Sequence, residues 1–520
     1  MALDNTVIYA ILKLNSFRKY KKVMYFYQSI TAALMILYVV LLLILTAYSI
    51  HAYLMVFLHR KCRSGAVAAV TPPPEWPAVT VQLPVFNEKY VVERLIQCVC
   101  ALDYPRDKLE IQVLDDSTDE TREIAAGCAA KFRKEGIAIS HIHRADRRGF
   151  KAGALKNGLE SARGEFIAIF DADFMPRPDF LKKMIPYFNA PEIGMVQARW
   201  GHLNGNYSLL TRSQAICLDA HFVLEHGARN ARGIFINFNG TAGIWRRETI
   251  ISAGNWQDDT LTEDIDISYR AQIAGWKFVY VNDVVCPAEL PAEVYGLKNQ
   301  QYRWAKGAIQ TAIKLLPTVW KSGRLTPLMK FEATVHLTNH VVFPVLLLLA
   351  LMLLPMLFIR INCPGTDIFF AAVSLFTINA FSYPIFYIYA QKKIYPDWKR
   401  RALFLPLLMA GAIGLTVVNS QAVFSALLGR KSNFQRTPKY NLADRSPGLE
   451  RAAGESWAGK KYRTRFNPTV LMELALFAYV SISLLYAFRH IQYIALPFVL
   501  LYWAGFAFIG GLSLAHAARR

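Results

Sequence analysis

The chain has 520 residues, of which 54% are hydrophobic and only 19% charged, with a formal net charge of +21. That balance is too apolar for an ordinary soluble enzyme of this size, and the apolar residues gather into long runs at both ends around a mixed middle, the layout of a membrane protein with one inserted soluble domain. The basic excess sits beside the apolar runs, at 13–22, 60–63, 392–401, 430–465 and 519–520. This is the pattern of cytoplasmic anchoring against anionic lipid, and no DNA- or RNA-binding signature accompanies it to suggest nucleic acid.

In chain order, residues 3–22 mix apolar and basic side chains and suit the membrane surface. Residues 28–58 form one long spanning helix. No short apolar core with a small-residue cleavage site precedes it, so no removable signal peptide is expected. The stretch SGAVAAVTPPPEWP (64–77) is a linker, since its prolines cannot continue a helix. From 78 to 316 short apolar runs alternate with helical stretches (VTVQLPVFNE, KYVVERLIQCVCAL, LEIQVLDDS, DETREIAAGCAAKF, AISHIHR). Strand–helix alternation predicts an α/β domain with a mostly parallel sheet, whose ligands bind beyond the carboxyl ends of the strands. Further spans are expected at 334–359, 368–390, 470–488 and 494–516. Residues 403–428 are apolar enough to cross, but basic segments flank them on both sides. A surface-lying or re-entrant element is the favoured reading. The expected divisions are therefore 1–63, 64–77, 78–316, 317–428, 429–468 and 469–520. Seven scattered cysteines show no CxxC or Cys/His spacing, which argues against structural zinc and a disulfide framework.

The strand ends carry acids. IQVLDDS closes on Asp115, Asp116 and Ser117, and FIAIFDADF closes on Asp171 and Asp173. Strand alternation would point Asp171 and Asp173 to the same side, where Mg²⁺ could sit between them and a phosphate-bearing ligand. Alone, such a pair reads as solvated loop acids. Thr262, Glu263 and Asp264 begin a helical stretch that Thr262 could cap, and a carboxylate there could act as a general base. RRGFKAGALKNGL sets Arg147, Arg148 and Lys151 at a helix start, a weak phosphate-site signal. Glycines 240 and 243 mark a second turn. His141 and His143 suit a strand edge, His221 and His226 suit polar contacts near an acceptor path, and His336 and His340 suit either a product path or the membrane interface.

Taken in order, DDS (115–117), DAD (171–173), TED (262–264) and QQYRW (300–304) resemble the D, DxD, TED, QxxRW signature of processive, inverting family-two glycosyltransferases. The stretches LPVFNE, QVLDDSTDET, GFKAGAL, FDADFMPRPDFL, VQARWGHLN, FNGTAGIWR and RTPKY look like the cellulose-synthase-like branch that makes mannan or glucan backbones. The resemblance implies a GT-A (Rossmann-like) catalytic domain between transmembrane helices, and an integral multi-pass protein, in the inner membrane if bacterial, with that domain cytoplasmic. It implies Mg²⁺ or Mn²⁺ as cofactor. It implies a nucleotide-sugar donor and a glycan or lipid acceptor as partners.

Carried over by residue, Asn87, Glu88, Asp115 and Asp116 would lie near the nucleotide. Lys151 would touch the diphosphate, and Asp171 and Asp173 would hold the metal against it. Asp264, with Glu263 beside it, would be the base, and Arg303 would stabilise the leaving diphosphate. Gln300 would help hold the donor, while Trp304, Asn239, Gly240 and Thr241 would face the acceptor. GRKSNFQRTPKY resembles a gating loop through Phe434, Thr437 and Lys439, but Arg436 stands where that pattern has valine. UDP-glucose is the favoured donor on commonness alone and GDP-mannose fits as well. The product that the resemblance implies is a β-linked, 1,4-type polysaccharide (glucan or mannan) passed through the protein's own spans. The alternatives are a single-sugar glycolipid and a non-catalytic channel subunit.

Overall fold

The computed structural model describes residues 5–61, 71–432, 434–444, 457–460 and 468–518, with side chains from residue 25 onward. Part of the expected linker, most of the basic stretch after 444, and Arg519 and Arg520 lie outside the described residues. Seven strands form one sheet: β1 Val79–Val85, β2 Leu109–Asp115, β3 Ile139–His143, β4 Phe166–Ile169, β5 Ile193–His202, β6 Gly243–Arg246 and β7 Lys277–Ala288. Their order is β3-β2-β1-β4-β6-β5-β7. β1 pairs in parallel with β2 and β4, and β2 with β3. β6 runs antiparallel to both β4 and β5. The sheet is therefore mixed, because a four-residue strand inserted in the opposite sense leaves no trace in an apolar pattern.

β4 reads as an unbroken apolar run, and β1 is buried along nearly its whole length, because both faces of the sheet are covered. One face buries Val81, Leu83, Ile111 and Val113; the other buries Ile167, Ile169, Phe238 and Trp245. The parallel strands β1, β2 and β4 end at one edge, so the residues after Val85, Asp115 and Ile169 meet there. β4 stops two residues before Asp171. Asp171 and Asp173 thus come together through the turn that follows it, and the strand alternation expected for them does not apply. Thr262 does occupy the cap position of the helix Glu263–Ile273, but its side chain makes no capping hydrogen bond.

Among the described residues, five helices are long and apolar enough to cross a membrane: Tyr25–Lys61, Pro327–Asn362, Asp367–Ile394, Thr469–Arg489 and Leu496–Ala518. Each covers one of the expected spans with shifted ends, and the chain is a membrane protein. Residues 403–428 fall in a broken helix pair, Trp398–Gly414 and Thr416–Leu427, bent by 43°. The helix Val294–Lys321, here the interface helix, carries the QQYRW residues and packs both on the helix Glu263–Ile273 of the sheet domain and on the apolar helices Pro327–Thr338 and Thr416–Leu427.

Candidate active site

One cavity opens at the strand edge. Its lining includes Phe86, Glu88, Asp116, Arg147, Lys151, Asp171, Asp173, Glu289, Gln300 and Arg303, together with Phe434, Arg436, Thr437 and Lys439. The first acid cluster is divided in use. Asp115 is fully buried and does not line the cavity. Its carboxylate accepts from His141 Nε2 at 2.8 Å and from the Ser117 N–H at 2.8 Å. Burial works against that carboxylate, but those partners win and hold it below the ordinary value. Asp116 faces the cavity, gripped by Arg144 through Nε at 2.8 Å and Nη2 at 2.6 Å. Asn87, in the left-handed region at φ 55°, is a fastener between strand ends. Its N–H donates to Ser117 Oγ at 2.8 Å and its Oδ1 accepts from the Thr118 N–H at 2.8 Å.

Lys151 stands at the centre. Its ammonium lies 2.6 Å from Asp171 Oδ1 and 3.7 Å from Glu263 Oε1, and it donates to the Gly240 carbonyl at 2.8 Å. Burial pulls its pKa down, but Asp171 and Glu263 outweigh burial and keep it charged. Gly240 sits at φ +79°, and a Cβ there would stand 3.1 Å from Asp264 Oδ2 and 3.2 Å from Lys151 Nζ. Thr241 Oγ1 accepts from the Asp171 N–H at 2.9 Å. Residues 240 and 241 therefore hold Lys151, Asp171 and Asp264 in one knot. Asp264 is pushed up to about 7, first by burial and then by the neighbouring Glu263 carboxylate.

From the membrane side, Arg303 donates to Thr437 Oγ1 at 3.1 Å and to the Gln435 carbonyl, with its guanidinium 4.8 Å over the Phe434 ring. Burial lowers it to about 10, so it stays cationic at neutral pH. Gln300 shares the cavity wall. Trp304 is half-buried and is not part of the lining. Lys439 lies 2.6 Å from Asp173 Oδ2 and donates to the Glu289 carbonyl at 2.7 Å. Arg436 lies 3.2 Å from Glu88 Oε2, and Glu88 is raised to about 8 by burial. Each of the three carboxylates 88, 171 and 173 thus faces its own cation.

Among the site residues not singled out from the sequence are Arg144, which grips Asp116, and Glu289, whose carboxylate accepts from the Tyr440 and Leu442 N–H groups at 2.6 and 3.1 Å. Both immediately follow a strand, β3 and β7, so reading every strand end would have found them. His221 and His226 share a π-helical turn. His221 Nδ1 meets Glu225 at 2.6 Å, and its Nε2 lies 3.2 Å from both His226 Nε2 and Asn239 Nδ2. His336 meets the Tyr269 hydroxyl at 2.7 Å, and His340 stacks on Phe343.

The site suits a divalent cation in one way. Asp171 and Asp173 present oxygen donors that a cation could share with a phosphate, and each now binds an ammonium. Among the described residues no group of three or more His, Cys, Asp or Glu closes around a metal. A cation here would therefore draw further ligands from its substrate.

Residues 77–307 match the model described as "Glycosyltransferase like family 2". Probable glucomannan 4-beta-mannosyltransferase 7 of Oryza sativa subsp. japonica is 43% identical over 262 residues, covering 49% of this chain and 45% of that protein. Probable glucomannan 4-beta-mannosyltransferase 10 of Arabidopsis thaliana is 41% identical over 256 residues, 48% of this chain and 46% of that protein. The chain thus spans about half the length of the curated relatives it matches. Among solved structures, the mannosyltransferase PcManGT from Pyrobaculum calidifontis, in complex with GDP-Man and Mn²⁺, covers 76% of this chain and 100% of its own. It superposes with a TM-score of 0.53 at 21% identity, a likeness of fold. That fold is GT-A.

Proposed function

We propose that this chain, whose residues 77–307 match a family 2 glycosyltransferase model, is a membrane-embedded, inverting hexosyltransferase. It extends a β-1,4-linked glycan from a nucleoside diphosphate sugar and passes the product through its own spans. The observation that carries this reading is the meeting of Asp116, Lys151, Asp171, Asp173, Gln300 and Arg303 in one cavity, with Asp264 Oδ2 and Lys151 Nζ both packed around the Gly240 position. The preference for UDP-glucose gives way to GDP-mannose, since the relatives named above are mannosyltransferases.

The mechanism follows from charge. Inversion requires a hydroxyl to attack the anomeric carbon in line with the departing diphosphate. Asp264, with a pKa near neutrality, takes the hydroxyl proton. Lys151 and Arg303 meet the negative charge that grows on the diphosphate, in a site where burial strengthens each interaction. Asp171 and Asp173 would hold the divalent cation, which neutralises phosphate charge as a Lewis acid. Release of Asp171 from Lys151 and of Asp173 from Lys439 frees those carboxylates for it. Loop residues Phe434, Thr437 and Lys439 close the cavity by contacts to Arg303 and Asp173.

The test is purified protein with labelled GDP-mannose or UDP-glucose and Mn²⁺ or Mg²⁺, with products sized and digested by linkage-specific hydrolases. A mannosidic polymer is expected. A single-sugar lipid would overturn the polymer, and incorporation from UDP-glucose alone would overturn the donor.

A further inference from the structure

A lysine and a glutamate, both completely buried, meet where the interface helix touches the helical hairpin formed by Thr469–Arg489 and Leu496–Ala518. Lys298 Nζ lies 2.6 Å from Glu473 Oε1 and donates to Glu473 Oε2 at 2.7 Å and to Ser513 Oγ at 2.8 Å. Two further bonds join the same end of the helix to the same hairpin. The Val294 N–H donates to His516 Nδ1 at 3.1 Å, and the Tyr295 hydroxyl donates to the Ser513 carbonyl at 2.9 Å. Glu473 and Ser513 belong to helices able to span the membrane, and both lie outside the residues matched to the family.

Burying two opposite charges adds little net stability, since desolvation offsets their attraction; apolar residues of the same volume would pack as well. Apolar packing would, however, tolerate a slide. An ion pair with a third hydrogen bond has one satisfied geometry, and inside a membrane an unpaired charge is strongly disfavoured. Gln300 and Arg303 follow Lys298 by two and five residues on one continuous helix. A slip of one residue would move them by about 1.5 Å and turn them by about 100°. Misplacement of about 1 Å is enough to cost on the order of a hundredfold in rate.

We propose that Lys298 is a positioning residue: locked to Glu473 and Ser513 of the hairpin, it sets the register at which the interface helix presents Gln300 and Arg303 to the cavity. This rests on the glycosyltransferase reading. The hairpin is then part of the catalytic apparatus at a distance, as well as a membrane anchor.

The test compares Lys298→Met, Glu473→Gln and the exchanged pair Lys298→Glu/Glu473→Lys with the parent, as purified full chains, for sugar transfer, donor KM and thermal midpoint. Both single variants should lose about ten- to a hundredfold in kcat with donor KM within about twofold, and the exchanged pair should recover part of that loss. A lowered thermal midpoint with kcat unchanged would make the pair merely structural and overturn the proposal. Should the single variants fail to fold, Ser513→Ala removes one hydrogen bond and reads the same split; an unchanged kcat there overturns the proposal as well. A parent protein that transfers no sugar would sink the glycosyltransferase reading itself, a result distinct from either of these.

Discussion

Gly240 concentrates much of the candidate chemistry in one backbone position. Its carbonyl holds Lys151, its φ lies at +79°, and Asp264 fills the space beside its Cα. Gly240→Ala should strain the turn by roughly 1–2 kcal/mol and displace Asp264, lowering kcat about ten- to a hundredfold; steady-state kinetics on folded protein read this, and a kcat within twofold of the parent would refute it. Asp264 gives a second prediction. A base works only when deprotonated, and this one is raised to about 7. kcat/KM should therefore fall about tenfold per unit as pH drops below about 7, and Asp264→Asn should abolish transfer at every pH. A profile flat from pH 5.5 to 8 would remove Asp264 from the role of base. Much of this was legible in the sequence, because acids that end apolar strands are conspicuous and QQYRW is an unusual cluster. Arg144 and Glu289 were not read, although each directly follows a strand. Their importance comes from what they grip, Asp116 and the backbone at 440–442, and those partners lie far away in sequence.

Between elements, one close contact joins Thr262, just before the helix Glu263–Ile273, to the interface helix. A Cβ at Gly307 would fall 2.4 Å from both Thr262 Cγ2 and Oγ1. Gly307→Ala should therefore destabilise the domain by about 1–3 kcal/mol through overpacking, seen as a lower thermal midpoint, and an unchanged midpoint would contradict the packing. Thr262, read from sequence as a helix cap, proves to be the residue that sets this spacing. The strands β1, β2, β3 and β4 could be read because short β-branched and apolar stretches alternate with helical ones. β6 could not, since its four residues run against their neighbours and only the fold reveals that sense. The DAD turn shows the same limit. The sequence placed both acids together, but a strand that ends at Ile169 changes the reason.

For the whole molecule, hydropathy alone found five spans, while the bent pair 398–427 needed tertiary contacts. Just before it Gln391 donates to Asp219 at 2.9 Å, and Arg212 of the catalytic domain stacks on Phe404 at 5.0 Å. At its far end Ser425 Oγ accepts from Lys306 Nζ at 3.0 Å. Both ends touch the catalytic domain, which supports a pair that does not cross. Cysteines introduced at Arg400 and Lys431 should then react with an impermeant thiol reagent from the same side of sealed vesicles; reaction from opposite sides would make the pair a sixth span. The cavity's paired charges carry a last consequence. In the idle protein Lys151 and Lys439 are already seated on Asp171 and Asp173, so those two ammoniums are engaged before any phosphate arrives. On the proposed reading, a phosphate-bearing ligand would have to trade places with those carboxylates, so its binding would be an exchange of partners rather than a simple addition.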